Sequence, residues 1–225
     1  MSLELLLILL AWGTLVGLDL VSVPQMMIAR PLVAGAIAGA VLSDLKTGLE
    51  LGVLFELFQY DILPVGAVRY PEYGPATIAA VSAAHAASGT VGLGLGAFVG
   101  LVTGMVGGVS LDVVRRLNSR AVQRAGVALE SGDPRALQRL HAASILRDAA
   151  RAAVVTGVGL GLAQLARDSL AGGLPPHGVA LLTIAAVGAA LAAGTAGTLR
   201  LVGRGRGLRW FVAGLVGGTV VAWLR

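Results

Sequence analysis

The sequence predicts an all-α polytopic membrane protein with broken or re-entrant helices in its N-terminal part. Three observations predict it. Of the 225 residues, 56% are apolar and only 13% charged, far from the balance of a soluble domain. The apolar residues come in blocks without the period-2 alternation of a membrane β-barrel. Two of those blocks are too short, and one too polar, to cross a bilayer as ordinary helices.

The blocks are residues 3–20, 31–43, 49–63, 74–88, 91–112, 150–166, 178–199 and 208–224. At about 20 residues per crossing, six to eight spanning or re-entrant segments fit, and a single membrane-embedded domain over 1–225 is the simplest organisation. Block 3–20 carries Glu4 where a secretory signal carries positive charge, so it reads as a retained helix. Block 31–43 would be about 20 Å long as a helix, short of a hydrocarbon core of about 30 Å. Block 49–63 holds Glu50, Glu56, Gln59 and Asp61. Such polarity at membrane depth survives where protein or a watery cavity surrounds it, so residues 19–73 are expected to form an interior, broken-helix region.

Block 91–112 carries Gly92, Gly96, Gly100, Gly104 and Gly108. This four-residue ladder leaves one helical face bare and lets another backbone approach. Gly35/Gly39, Gly157/Gly161 and Gly214/Gly218 repeat the pattern, and tight helix packing is the expectation for all of them. Residues 113–149 mix arginines with Leu129, Leu137, Leu140, Ile145 and Leu146 around a turn at Ser131-Gly132-Asp133-Pro134. They read as a cytoplasmic amphipathic loop with a helix after Pro134.

Charge divides the chain. Seven of the twelve acids lie in the first 72 residues against three bases, whereas Arg115, Arg116, Arg120, Arg124, Arg135, Arg139, Arg147 and Arg151 fall in one stretch. The positive-inside rule makes that stretch cytoplasmic, so the net charge of +5 reports topology and no nucleic-acid partner is expected. There is no cysteine, which excludes thiolate metal sites and a thiol nucleophile. The three histidines are too far apart for metal-ligand spacing, and no metal or cofactor is expected.

From Asp19 to Glu72 the chain presents Gln25, Arg30-Pro31, Gly35 and Gly39, Asp44 with Thr47-Gly48, Glu56, Gly66-Ala67 and Pro71-Glu72 in order. This series resembles the N-terminal signature of the mannose/fructose/sorbose family of phosphotransferase system IIC permeases. The closing acid departs from the pattern: Glu72 follows Arg69-Tyr70-Pro71 where the family usually has aspartate after prolines. The resemblance is dense over about a quarter of the chain, and the C-terminal part looks abbreviated.

The resemblance implies a multi-pass protein of the bacterial inner membrane. It would work with a IID membrane subunit and soluble IIA and IIB phosphocarriers, in a homo-oligomer of IIC–IID units. It would pass a hexose-like sugar inward for phosphorylation by IIB, so no catalytic residue is expected here and none of the histidines is expected to be phosphorylated. A sugar offers hydroxyls and no charge, which calls for carboxylate acceptors and amide or cationic donors. Glu56 and Gln59 share a helix face, Gln25 adds an amide, and Lys46 is the sole lysine beside sixteen arginines. With Asp44, Asp61 and Glu72 these are the expected substrate-binding residues, Glu56 first. A stand-alone ion-coupled transporter, using the embedded acids as relays, and a non-transporting scaffold or sensor are the alternatives.

Overall fold

The structure, a computed structural model, describes residues 1–60, 62, 68–85, 87, 89–171, 175–202, 208–210, 212–214 and 216–217. It is all-helical among those residues: α1 (Leu3–Asp19), α2 (Pro31–Val41), α3 (Leu45–Gln59), α4 (Tyr73–Ala84), α5 (Gly89–Arg124), α6 (Gly126–Glu130), α7 (Pro134–Ala171) and α8 (Pro176–Val202). By length and composition, three helices among the described residues can cross a membrane: Gly89–Arg124, Pro134–Ser169 and His177–Ala196. Block 208–224 lies largely outside the described residues, as do Asp61, Pro64 and Gly66-Ala67.

Local chemistry sets the helix ends. The Ser2 hydroxyl accepts from Leu5 N–H at 3.3 Å and opens α1, and Pro31 begins α2, where its missing N–H has no partner to lose. Asp44 caps α3 by accepting from Thr47 N–H at 3.2 Å. That cap starts α3 at Leu45, four residues before the apolar block. Gly132, at φ +76°, makes the turn into α7 at the expected Ser131–Pro134 site.

The arginine-rich stretch is mostly helix and less a loop than its composition suggests. α5 continues past residue 112 to Arg124, and the amphipathic segment after Pro134 runs without a break into the span. No proline lies between 135 and 174, and alanine, leucine and arginine are strong helix formers. The turn between these two long helices contains only α6 and its flanking residues.

α4 is the centre of the molecule, with all twelve residues buried and α1, α2, α3, α5 and α7 packed around it. The glycine ladder of α5 faces it from Gly92 to Gly104, and Gly108 meets Tyr70 and Pro71 just before it. A methyl built on Gly96 would stand 2.8 Å from the Ala80 carbonyl oxygen, and one on Gly100 would stand 3.0 Å from Ala80 Cβ. α2 and α3 form a hairpin on the same principle, Gly39 meeting the backbone of Gly48 and Gly35 that of Gly52. On α7 the glycine in close contact is Gly159, against Ala79 and Thr103, while a methyl on Gly161 or Gly214 would meet nothing within 4 Å among the described residues of this chain; Gly218 lies outside those residues. Gly157 and Gly161 lie on the face of α7 turned away from α4.

A buried ion-pair network ties three elements together. Arg151 on α7 donates through both terminal nitrogens to Glu72, the Nη2–Oε1 distance being 3.0 Å. Its Nε donates to Asp148 Oδ1 at 2.8 Å and its Nη2 to the Gly17 carbonyl of α1 at 3.2 Å. Asp148 accepts from the Ser22 hydroxyl at 2.5 Å. Glu72 is 1% exposed, Asp148 2% and Arg151 7%. Glu72 also precedes α4 and donates its N–H to the Gly104 carbonyl at 2.9 Å, so it fixes α4 against α5 and α7 at one level.

Two predictions follow from this packing, both read as thermal melting of the purified protein in detergent. Gly96→Ala is overpacked against backbone and is expected to lose about 1–3 kcal/mol, whereas Gly104→Ala, whose new methyl would have nothing nearer than 3.5 Å, should melt like the parent. Arg151→Met leaves two carboxylates buried together and is expected to cost about 3–5 kcal/mol. Glu72→Gln should cost less, because Asp148 still pairs Arg151; equal losses would contradict the network.

Candidate functional site

At the Glu72 end of the bundle, the loop between α1 and α2 and the end of α3 line an open cavity of about 280 Å³. Asp19, Gln25, Met27, Arg30, Gln59 and Tyr60 are in its wall, with Leu20, Ala29 and Ile62. That volume is close to the lower end of the ~300–1,000 Å³ of small-molecule sites. Gln59 is the last residue of α3, and the amides of Gln25 and Gln59 have no hydrogen-bond partner among the described residues.

The loop backbone is unusual. Gln25 and Met27 are left-handed, at φ 59° and 64°, a region that L side chains enter at a cost of about 1–2 kcal/mol per residue. Asp19, 3% exposed at the end of α1, accepts from Met26 N–H at 2.6 Å and from Ala29 N–H at 3.0 Å. Outside the cavity, Arg115 donates to the Val68 carbonyl and the Tyr70 hydroxyl, both at 3.0 Å. Its guanidinium lies 5.3 Å from the Tyr70 ring centre, within cation–π range. These contacts hold the chain leading to Glu72 against α5.

The expected site residues separate into groups. Gln25 and Gln59 line the cavity together. Glu56 stands one layer behind, forming an ion pair with Arg30 and accepting from Leu32 N–H at 3.3 Å. Glu72, with Tyr70 and Pro71, lines a separate adjacent pocket of about 10 Å³, room for no more than about one water, that shares Leu20, Ala29, Gln59 and Ile62 with the cavity. Its carboxylate is engaged by Arg151. Asp44 and Lys46 sit at the other end of α3, about 20 Å from Gln59 at 1.5 Å per residue. There Asp44 Oδ2 lies 3.6 Å from His85 Nδ1, and Lys46, 85% exposed, lies 3.8 Å from Glu50. Asp61 lies outside the described residues. Among the described residues no cluster of His, Cys, Asp or Glu could hold a metal ion.

Sequence reasoning passed over Asp19, Tyr60 and the pairing of Glu72 with Arg151. Asp19 was visible as the acid that opens the polar region. The Glu72–Arg151 pair spans 79 residues, and no local pattern joins its members.

The description "PTS system sorbose-specific IIC component" belongs to a family model that matches residues 3–222. The mannose-specific EIIC component of Escherichia coli (strain K12) is 28% identical over 125 residues, covering 56% of this chain and 46% of that protein. The fructose permease IIC component of Bacillus subtilis (strain 168) is 27% identical over 146 residues, 65% of this chain and 54% of that protein. The sorbose-specific EIIC component of Klebsiella pneumoniae is 30% identical over 116 residues, 52% and 43% of the two chains. The matches thus span about half the length of these curated relatives. Among solved structures, one titled "Structure of membrane protein" matches with a TM-score of 0.75 at 22% identity, over 100% of this chain and 95% of that one. A chain of the mannose transporter ManYZ in complex with microcin E492 matches with a TM-score of 0.53 at 20% identity, over 100% and 95%. These likenesses show the fold alone. With its family match running over nearly the whole chain, the protein belongs to the sorbose-type IIC family of the phosphotransferase system.

Proposed function

We propose that this chain is the sugar-translocating IIC subunit of a mannose-type phosphotransferase system in a bacterial inner membrane, and that the cavity at Gln25 and Gln59 holds the sugar. The observation that carries the reading is two amides, without a hydrogen-bond partner among the described residues, lining one cavity of sugar-compatible size, with the Arg30–Glu56 pair at its edge. Amides both donate and accept, which suits the vicinal hydroxyls of a hexose. Arg30 contributes charge-assisted donation, and Glu56 keeps its guanidinium in place. A sugar bound there reaches neither Lys46 nor Asp44 in this conformation; those residues belong to the far end of the path.

Depth supports the same reading. The Glu72 level meets α5 at Gly104, about 22 Å along α5 from Gly89 at 1.5 Å per residue. A crossing needs about 30 Å, so the cavity and its irregular loops lie inside the membrane near the arginine-rich end, where only enclosed or watery surroundings tolerate them. The short α2–α3 hairpin is re-entrant in this arrangement. The arginine-rich helix ends project into the cytoplasm, where soluble IIA and IIB would act. A IID subunit would complete the membrane complex, and IIC–IID units would associate as a homo-oligomer. The sugar is phosphorylated on IIB's side, and His85, His141 and His177 carry no phosphoryl group.

Gln59→Ala is expected to weaken binding of the preferred hexose, among mannose, fructose and sorbose, about tenfold by calorimetry in nanodiscs. Lys46→Ala should bind like the parent; the reverse pattern would move the site to the other end of α3. Topology is tested in the cysteine-free chain with an impermeant maleimide. Ser131→Cys should label only from the cytoplasmic side and Ser169→Cys only from outside, and labelling of both from one side contradicts the orientation.

A further inference from the structure

The loop that brings Gln25 and Arg30 to the cavity has a shape its own residues do not favour. Met26 is flanked by two left-handed non-glycine residues, Gln25 and Met27, and an isolated loop would relax out of that conformation. Asp19 opposes the relaxation at two points. One carboxylate oxygen holds the N–H of Met26, between the two left-handed residues. The other holds the N–H of Ala29, next to Arg30. The carboxylate is 3% exposed and has no base within ion-pair distance among the described residues, so its partners are these backbone donors. Asp19 also forms part of the cavity wall. A buried carboxylate is costly to retain unless its hydrogen bonds are used, and here both oxygens hold the one segment that presents site residues.

We propose that Asp19 is a positioning residue of the sugar site, whose carboxylate sets the loop conformation that presents Gln25 and Arg30 to the ligand. The inference rests on the reading of the cavity as that site. Asn at position 19 keeps one acceptor oxygen and places an amide donor where the second oxygen stood, facing an N–H. One of the two anchors is lost while size is conserved.

The test measures binding of mannose, fructose and sorbose to the full chain in nanodiscs, with thermal melting alongside. Asp19→Asn is expected to bind the preferred sugar at least about tenfold more weakly than the parent while melting within a few degrees of it. Because Asp19 acts through Gln25, the losses from Asp19→Asn and Gln25→Ala should combine to less than their product in the double variant. Full multiplication of the two losses overturns the positioning role in favour of a direct contact, and lowered melting with parental affinity overturns it in favour of a structural one. Gln59→Ala separates the inference from the reading beneath it. If Gln59→Ala weakens binding and Asp19→Asn does not, only the role of Asp19 fails. If neither does, or the parent binds none of the three sugars, the reading of the cavity fails with it. Should Asp19→Asn not accumulate, the parent supplies the answer: sugar should slow amide hydrogen exchange across residues 20–30 and leave residues 44–50 unchanged. Unaltered exchange in 20–30 overturns the proposal.

Discussion

A single guanidinium shared by two carboxylates sets the depth of everything at the candidate site. Arg151 on α7 joins Glu72, at the entry to α4, to Asp148, and through Asp148 reaches Ser22 in the loop after α1. Three separate stretches of chain meet at this point. An ion pair this enclosed adds little net stability over an apolar equivalent, yet breaking one partner away is expensive. Its effect is to make one arrangement of the loops the only one without a stranded charge. Because Glu72 also bonds the backbone of Gly104, the level at which α4 begins is locked to α5.

Around that anchor, small side chains bring helices close enough for their backbones to touch. α4, with the sequence Tyr-Gly-Pro-Ala-Thr-Ile-Ala-Ala-Val-Ser-Ala-Ala, is fully enclosed because the ladder of α5 lets that helix approach it and the Gly35–Gly39 face of α2 seats α3 closely beside it. In lipid, where apolar burial between helices gains little, such contacts supply the association through dispersion and close backbone approach. The outcome is a rigid half of the bundle at α2–α5 against which the irregular segments are braced. The cavity occupies the remaining gap, between the loop after α1 and the end of α3.

The fold class was legible because composition and block lengths are additive properties of local sequence. Short blocks at 31–43 and 49–63 announced short helices, and α2 and α3 are 11 and 15 residues long. The glycine ladder was legible as a packing face, and the structure adds that its partner is α4 of the same chain. Continuous helix through the arginine-rich stretch was harder to see, because charge patterning reports which side of the membrane a segment occupies and says little about its conformation. Among the expected site residues, Gln25 and Gln59 come together although 34 positions apart, while Asp44 and Lys46 lie on the same helical hairpin yet at its far end. Motif order along a chain does not specify which end of a hairpin a residue occupies. Glu72 could be singled out as an acid in the motif, but its partner could not, since the matching charge lies on a helix whose register against α4 is fixed only by tertiary packing.

The proposed sugar cavity lies between the loop after α1 and the end of α3, at the end of the α2–α3 hairpin proposed to face the cytoplasm. Tyr60, 65% exposed at the rim of the cavity, gives the most direct test, because the chain has no native cysteine. In inside-out vesicles, Tyr60→Cys should react with an impermeant maleimide, and a saturating concentration of the preferred hexose should slow the reaction severalfold while leaving labelling of Lys46→Cys from the opposite side unchanged. Sugar protection at position 46 with none at position 60 would contradict the account.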